Sequence, residues 1–147
     1  ITDSARLIEQ MAQRHNIPRS KIVVDEDGLG GGVKDILRCK GFVANSTPQK
    51  VKGERENYQN LKAQCYFRLA EKVNQRSIAI DCDTDTREKI VEELEIIKQK
   101  DPDKDNKCNI IGKDKMKDLL GRSPDFADTL MMRMFFDVKK NKRVVSF

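Results

Sequence analysis

Apolar residues recur at helical spacing from the start of the chain. Ala5, Leu7, Ile8, Met11 and Ala12 predict an amphipathic helix over 2–16, with Thr2 or Asp3 as its cap and Pro18 barring its continuation. The pattern then shortens. Ile22, Val23 and Val24 form an apolar run ending in Asp25, which predicts a strand, and a glycine-rich loop follows over 28–32. A helix is expected over 33–40, with Val33, Ile36 and Leu37 inward and Gly41 as its C-cap. Phe42, Val43 and Ala44 read as a second strand, and 45–56 as a polar loop. The firmest helical signal lies over 57–74, where Tyr58, Leu61, Cys65, Leu69 and Val73 face inward and Lys62, Arg68 and Lys72 outward. Ile78 to Ile80 suggests an edge strand, and Ile90, Leu94 and Ile97 a helix over 86–99. A charged turn over 101–107 leads to an extended segment over 108–111 and a helix over 113–120 closed by Gly121. Ser123 offers an N-cap and Pro124 a first helical position for a helix running to about Phe136. Helix, strand and helix in succession imply α/β architecture with at least part of a parallel sheet.

Composition narrows this picture. With 37% hydrophobic and 36% charged residues the chain is polar but able to form a core, and with 5% aromatics and no Trp that core is chiefly aliphatic. No apolar run is long enough to span a membrane as a helix. Cysteines 39, 65, 82 and 108 are widely spaced, and there is one histidine, His15, so a structural zinc site is not indicated and free thiols are expected. The net charge of +5 permits an anionic partner without requiring one.

Candidate chemistry lies at the two acidic stretches. Asp25, Glu26 and Asp27 crowd the end of the first strand, and in extended backbone Asp25 and Asp27 share a side. A carboxylate at a strand's C-terminal end, beside glycines, is where open α/β sheets hold ligands, and a hard divalent cation takes such oxygens. An ordinary Asp27-Gly28 turn with solvated acids explains the same residues. In the second stretch, 123–130, Asp125 and Asp128 are three apart and share the first turn of a helix, a spacing that suits metal ligation and also complements the helix dipole. Phe126, Leu130, Met131 and Met134 on that helix read as core. The glycines fit a dinucleotide fingerprint only in part, because Val33 stands at the third glycine position, and no Walker A motif is present. Asp81, Asp83 and Asp85 mimic an EF-hand loop, but Thr86 stands where that loop needs glycine.

Three segments in order, VVDEDGLGGGVKDIL (23–37), NYQNLKAQCYFRLAEKV (57–73) and GKDKMKDLLGRSPDFADTL (112–130), resemble the nuclease domain of the large terminase subunit of tailed bacteriophages. The resemblance covers most of 1–136 and leaves 137–147 as a basic C-terminal tail. It implies an RNase H-like (ribonuclease H or resolvase-like) α/β fold, a mixed sheet flanked by helices. The family's first catalytic aspartate lies on a strand upstream of the segment matching 2–16. The chain is therefore expected to lack the first strands of that sheet, and to be inactive alone.

By position, the resemblance places metal-binding and catalytic roles on Asp25, Asp125 and Asp128. It leaves open which of the last two ligates directly, since members using the later position have a histidine where Asp125 stands. It implies a two-metal site for Mg²⁺ or Mn²⁺, the ions about 3.5–4 Å apart. The implied partners are double-stranded DNA, a terminase small subunit and a portal, with no membrane, in the cytoplasm of a bacterial host. The substrate would be concatemeric DNA cut during genome packaging. Lys50, Lys52 and Arg55 are candidate phosphate contacts or simply a solvated basic loop. The alternatives are a non-enzymatic nucleotide-binding α/β module using the glycine loop, and an interaction domain whose acids are only solvated.

Overall fold

A computed structural model describes residues 1–27 and 30–138. The chain forms two compact units, Ile1–Ser46 and Thr47–Phe147. In the first, helix α1 (Thr2–Arg14) is followed by a single 3-10 turn, strand β1 (Val23–Asp25), helix α2 (Gly30–Leu37) and strand β2 (Lys40–Phe42). The two strands pair in parallel, Val24 opposite Gly41, as a helical crossover between them requires. Ala5, Val33 and Leu37 form the core, with Ile8, Val24 and Cys39 packed against it.

Several details differ from the sequence reading. Leu7 and Met11 lie on the exposed side of α1, and Ile36 on that of α2, while Ala5 and Ala12 are buried. Neither Thr2 nor Asp3 caps α1, whose N-cap position is Ile1. Glycines 30–32 lie inside α2 rather than in the preceding loop. Gly41 does not cap α2. Arg38 takes the left-handed conformation there (φ 51°), and the Cys39 amide closes the turn on the Lys34 carbonyl. Gly41 instead sits in β2, where a Cβ would strike the Glu26 carboxylate.

The second unit opens with a surprise. The expected polar loop contains a hairpin, β3 (Lys50–Val51) and β4 (Glu54–Arg55), with Val51 opposite Glu54. Lys52 and Gly53 form its two-residue turn, both with positive φ (53° and 87°), the pattern of a type I′ connection. Helix α3 (Leu61–Asn74) starts later than its periodicity suggests. Asn60 caps it by accepting from the Ala63 amide at 2.8 Å, while Tyr58 pairs with Cys108 in an isolated bridge.

Helix α4 (Thr84–Ile96) is capped by Asp83, which accepts from the Thr86 amide at 2.7 Å. That contact gives one of the EF-hand-like acids a structural role. The Ile78 to Ile80 segment forms no strand. A small antiparallel pair, β5 (Gln99–Lys100) with β6 (Asn109–Ile110), leads to α5 (Lys113–Leu120), which ends at Gly121 in the left-handed conformation as expected. Helices α6 (Asp125–Arg133) and α7 (Phe135–Val138) follow. Helix α6 packs against α3, α4 and α7. The buried residues here include Leu61, Cys65, Leu69, Met116, Ala127, Met131 and Met134, whereas Phe126 is exposed. Asp137 and the buried Val138, assigned to the tail from sequence, complete α7, and 139–147 lie outside the described residues. No helix among the described residues is long and apolar enough to cross a membrane.

Candidate active site

Each acidic stretch occupies its own unit. In the first, Asp25 ends β1, exposed, with Oδ1 accepting from the Asp27 amide at 3.1 Å. Glu26 turns away and accepts from Lys34 Nζ at 2.6 Å, a hydrogen bond that raises the lysine's pKa. The glycine run has a packing explanation at its first described member. A Cβ on Gly30 would collide with the Asp25 carbonyl, so only glycine lets α2 begin directly against the strand that carries Asp25. Gly28 lies outside the described residues.

In the second unit Asp125 and Asp128 stand in the first turn of α6, as their spacing predicts. Asp125 is exposed. Asp128 is enclosed, its side chain 17% exposed, and both its oxygens have partners. Oδ1 accepts from the Tyr66 hydroxyl at 2.7 Å and lies 3.4 Å from Lys62 Nζ. Oδ2 accepts from Lys113 Nζ at 3.2 Å. Burial, and then the Asp128 carboxylate, push the Tyr66 phenol well above its ordinary pKa, so it acts as a fixed donor. Lys62, placed on the outer side of its helix by periodicity, turns toward Asp128 and passes 5.9 Å from the Tyr66 ring centroid. This carboxylate is thus a point on which positive charge converges.

The start of α6 is held by a residue far away in sequence. Pro124 occupies the N-cap position and no capping side chain comes from the helix's own flank, so Ser123 does not serve as the cap. Glu93 of α4 takes that role. Its side chain is fully buried, and Oε2 accepts from the Ala127 amide at 2.7 Å. Its Oε1 pairs with Arg122 Nη1, and Arg122 also donates to the Ser123 carbonyl at 3.2 Å and to Glu92 Oε2 at 3.3 Å. The hydrogen bond to Glu93 is the main cause of a raised Arg122 pKa. Tyr66, Lys113, Glu93 and Arg122 were not legible as site residues. No local spacing joins Tyr66 to Asp128, 62 positions apart, or Glu93 to Ala127, 34 apart.

Lys50, Lys52 and Arg55 are all exposed on the β3–β4 hairpin, Lys50 and Arg55 as cross-strand partners. The hairpin is tied down at its base. The buried Gln64 of α3 accepts from the Gln49 amide at 2.8 Å and donates to the Gln49 carbonyl at 2.9 Å and to Glu56 Oε1 at 3.0 Å. Three cations therefore project from a fixed ribbon.

As metal ligands, Asp125 and Asp128 supply hard oxygen donors, and Asp128 already draws two ammonium groups, as a carboxylate suited to a cation would. Among the described residues no three His, Cys, Asp or Glu side chains group to hold a metal ion.

The mixed α/β arrangement is one that solved structures of a viral nuclease domain share. The chain is similar to the nuclease domain of the large terminase subunit gp2 of bacterial virus Sf6, with a TM-score of 0.68 and 22% identity over 88% of this chain and 70% of that one. A lysine-to-alanine mutant of that domain with manganese and beta-thujaplicinol gives 0.70 and 22%, covering 91% and 72%. A mutant form with calcium gives 0.68 and 21%, covering 88% and 70%. At this identity the likeness is one of fold. No protein-family model and no curated protein sequence matches the chain.

Proposed function

We propose that this chain is the nuclease part of a phage terminase large subunit, RNase H-like in fold, which cuts concatemeric double-stranded DNA during genome packaging. The observation that carries the reading is the fold likeness to a terminase nuclease domain over about nine-tenths of the chain. The enclosed Asp128, beside Asp125 on the first turn of α6, gives that likeness chemical content.

In this reading Asp25 of the first unit and Asp125 and Asp128 of the second would each be a ligand for Mg²⁺ or Mn²⁺. When bound, such ions supply Lewis-acid activation of water and stabilisation of the leaving oxygen. Tyr66 holds Asp128 in one rotamer by its fixed hydrogen bond. Lys62 and Lys113 balance the Asp128 charge, and beside it they would offer ammonium donors to phosphate oxygens. Lys50, Lys52 and Arg55 contact the DNA backbone from the anchored hairpin, which draws the duplex without reading its sequence. A small subunit, a portal and the host cytoplasm complete the setting by analogy with the family.

The test is Mn²⁺ binding by electron paramagnetic resonance, on the chain and on Asp25→Asn, Asp125→Asn and Asp128→Asn. Saturable binding that weakens in Asp25→Asn and Asp128→Asn supports the reading. Binding untouched by all three substitutions, or no binding by the unaltered chain, refutes it. In the intact protein, Asp25→Asn should abolish DNA cleavage while leaving DNA binding largely intact.

A further inference from the structure

Burying a carboxylate is costly unless it is paired and hydrogen-bonded, and Glu93 is fully buried with both oxygens engaged. What those bonds hold is specific. One fixes the amide of Ala127, which lies between Asp125 and Asp128 on α6. The other fixes Arg122, which in turn holds the Ser123 carbonyl. Both attachment points of the turn that leads into α6 are thereby keyed to α4. The helix has no capping side chain from its own flank to do this. We propose that Glu93 is a positioning residue for the acidic turn: it sets where Asp125 and Asp128 stand, and it touches neither metal nor DNA.

The inference rests on reading those aspartates as metal ligands, and it has a sharp chemical form. What matters is the reach of the Glu93 acceptor to the Ala127 amide. Gln keeps that reach with its one carbonyl oxygen, but its NH₂ is a donor and cannot accept from Arg122. Asp keeps the charge but draws the carboxylate back by one methylene. Ala removes both.

The experiment measures Mn²⁺ affinity of the 147-residue chain with Glu93→Gln, Glu93→Asp and Glu93→Ala. Ile110→Ala, a core truncation on β6, is the control for lost stability. The Ala127 amide and Asp128 carboxyl-carbon resonances are followed in the same samples. Glu93→Asp and Glu93→Ala weaken Mn²⁺ binding about tenfold, as loss of a supporting group outside the ligand set does. Both resonances shift, while Glu93→Gln, which can keep the Ala127 bond and loses the one to Arg122, falls between the unaltered chain and Glu93→Asp. Should Glu93→Ala not fold, the Asp and Gln variants decide alone.

The proposal is overturned if Glu93→Asp binds like the unaltered chain, if Glu93→Gln weakens as much as Glu93→Asp, or if the Ile110→Ala control weakens equally. A chain that binds no Mn²⁺ at all sinks the nuclease reading. Positioning is then decided by the Asp128 resonance. Movement in Glu93→Asp but not in the control upholds it, and no movement overturns it.

Discussion

Replacing Tyr66 with Phe deletes one hydroxyl and keeps a ring that is 4% exposed in the second unit. The lost contact is a 2.7 Å hydrogen bond to the Asp128 carboxylate. A hydrogen bond to a charged group contributes about 1.5–3 kcal/mol. Lys62 Nζ, 3.4 Å from the same oxygen, can close in and recover part of that. The expected destabilisation is therefore at the low end, about 1–2 kcal/mol. Urea unfolding followed by circular dichroism should show the midpoint falling by roughly 0.5–1 M for a typical urea dependence.

A double-mutant cycle with Asp128→Ala assigns the loss to this pair. Once Asp128 is gone, Tyr66→Phe should cost almost nothing. Two substitutions that instead add to within about 0.3–0.5 kcal/mol act independently, and the argument that Tyr66 fixes Asp128 is then wrong.

Three further expectations follow from the packing. Gly30→Ala drives a methyl into the Asp25 carbonyl, so the start of α2 must shift, at a cost of about 1–3 kcal/mol or more; a melting temperature equal to that of the unaltered chain contradicts the close approach. Gln64→Ala leaves the Gln49 amide and carbonyl without their buried partner, for a loss of about 2–3 kcal/mol, with faster amide exchange across the hairpin as the readout. Burial pushes the Cys65 thiol up to about 12, so at pH 8 only about one in 10⁴ of these thiols is ionised, and a thiol reagent should label Cys39, Cys82 and Cys108 well before Cys65. Because the folded pKa lies above the unfolded one, the associated stability is present below pH 9 and is lost as pH rises toward 12. Cys65→Ala should flatten that alkaline decline.

Sequence periodicity reveals elements held by their own residues. Helices α1 and α5 are of this kind, as is the left-handed close of α5 at Gly121. It fails where a partner lies elsewhere in the chain. Helix α3 looks longer in sequence than it is, because the segment around Tyr58 is claimed by Cys108. The hairpin at Lys50–Val51 and Glu54–Arg55 escapes notice because strands of two residues show no alternation, and Lys52-Gly53 is a less familiar turn pair than Asn-Gly. Glu93 looks like one more surface acid on a highly charged helix, and only the fold shows what it meets.

The remote origin of the support for α6 bears on the order in which the molecule assembles. A nine-residue helix is too short to persist in water unaided, and its start depends on α4 while Asp128 is pinned by α3. The acidic turn therefore takes shape only after three helices have docked. A nascent or partly unfolded polypeptide carries these aspartates without their geometry.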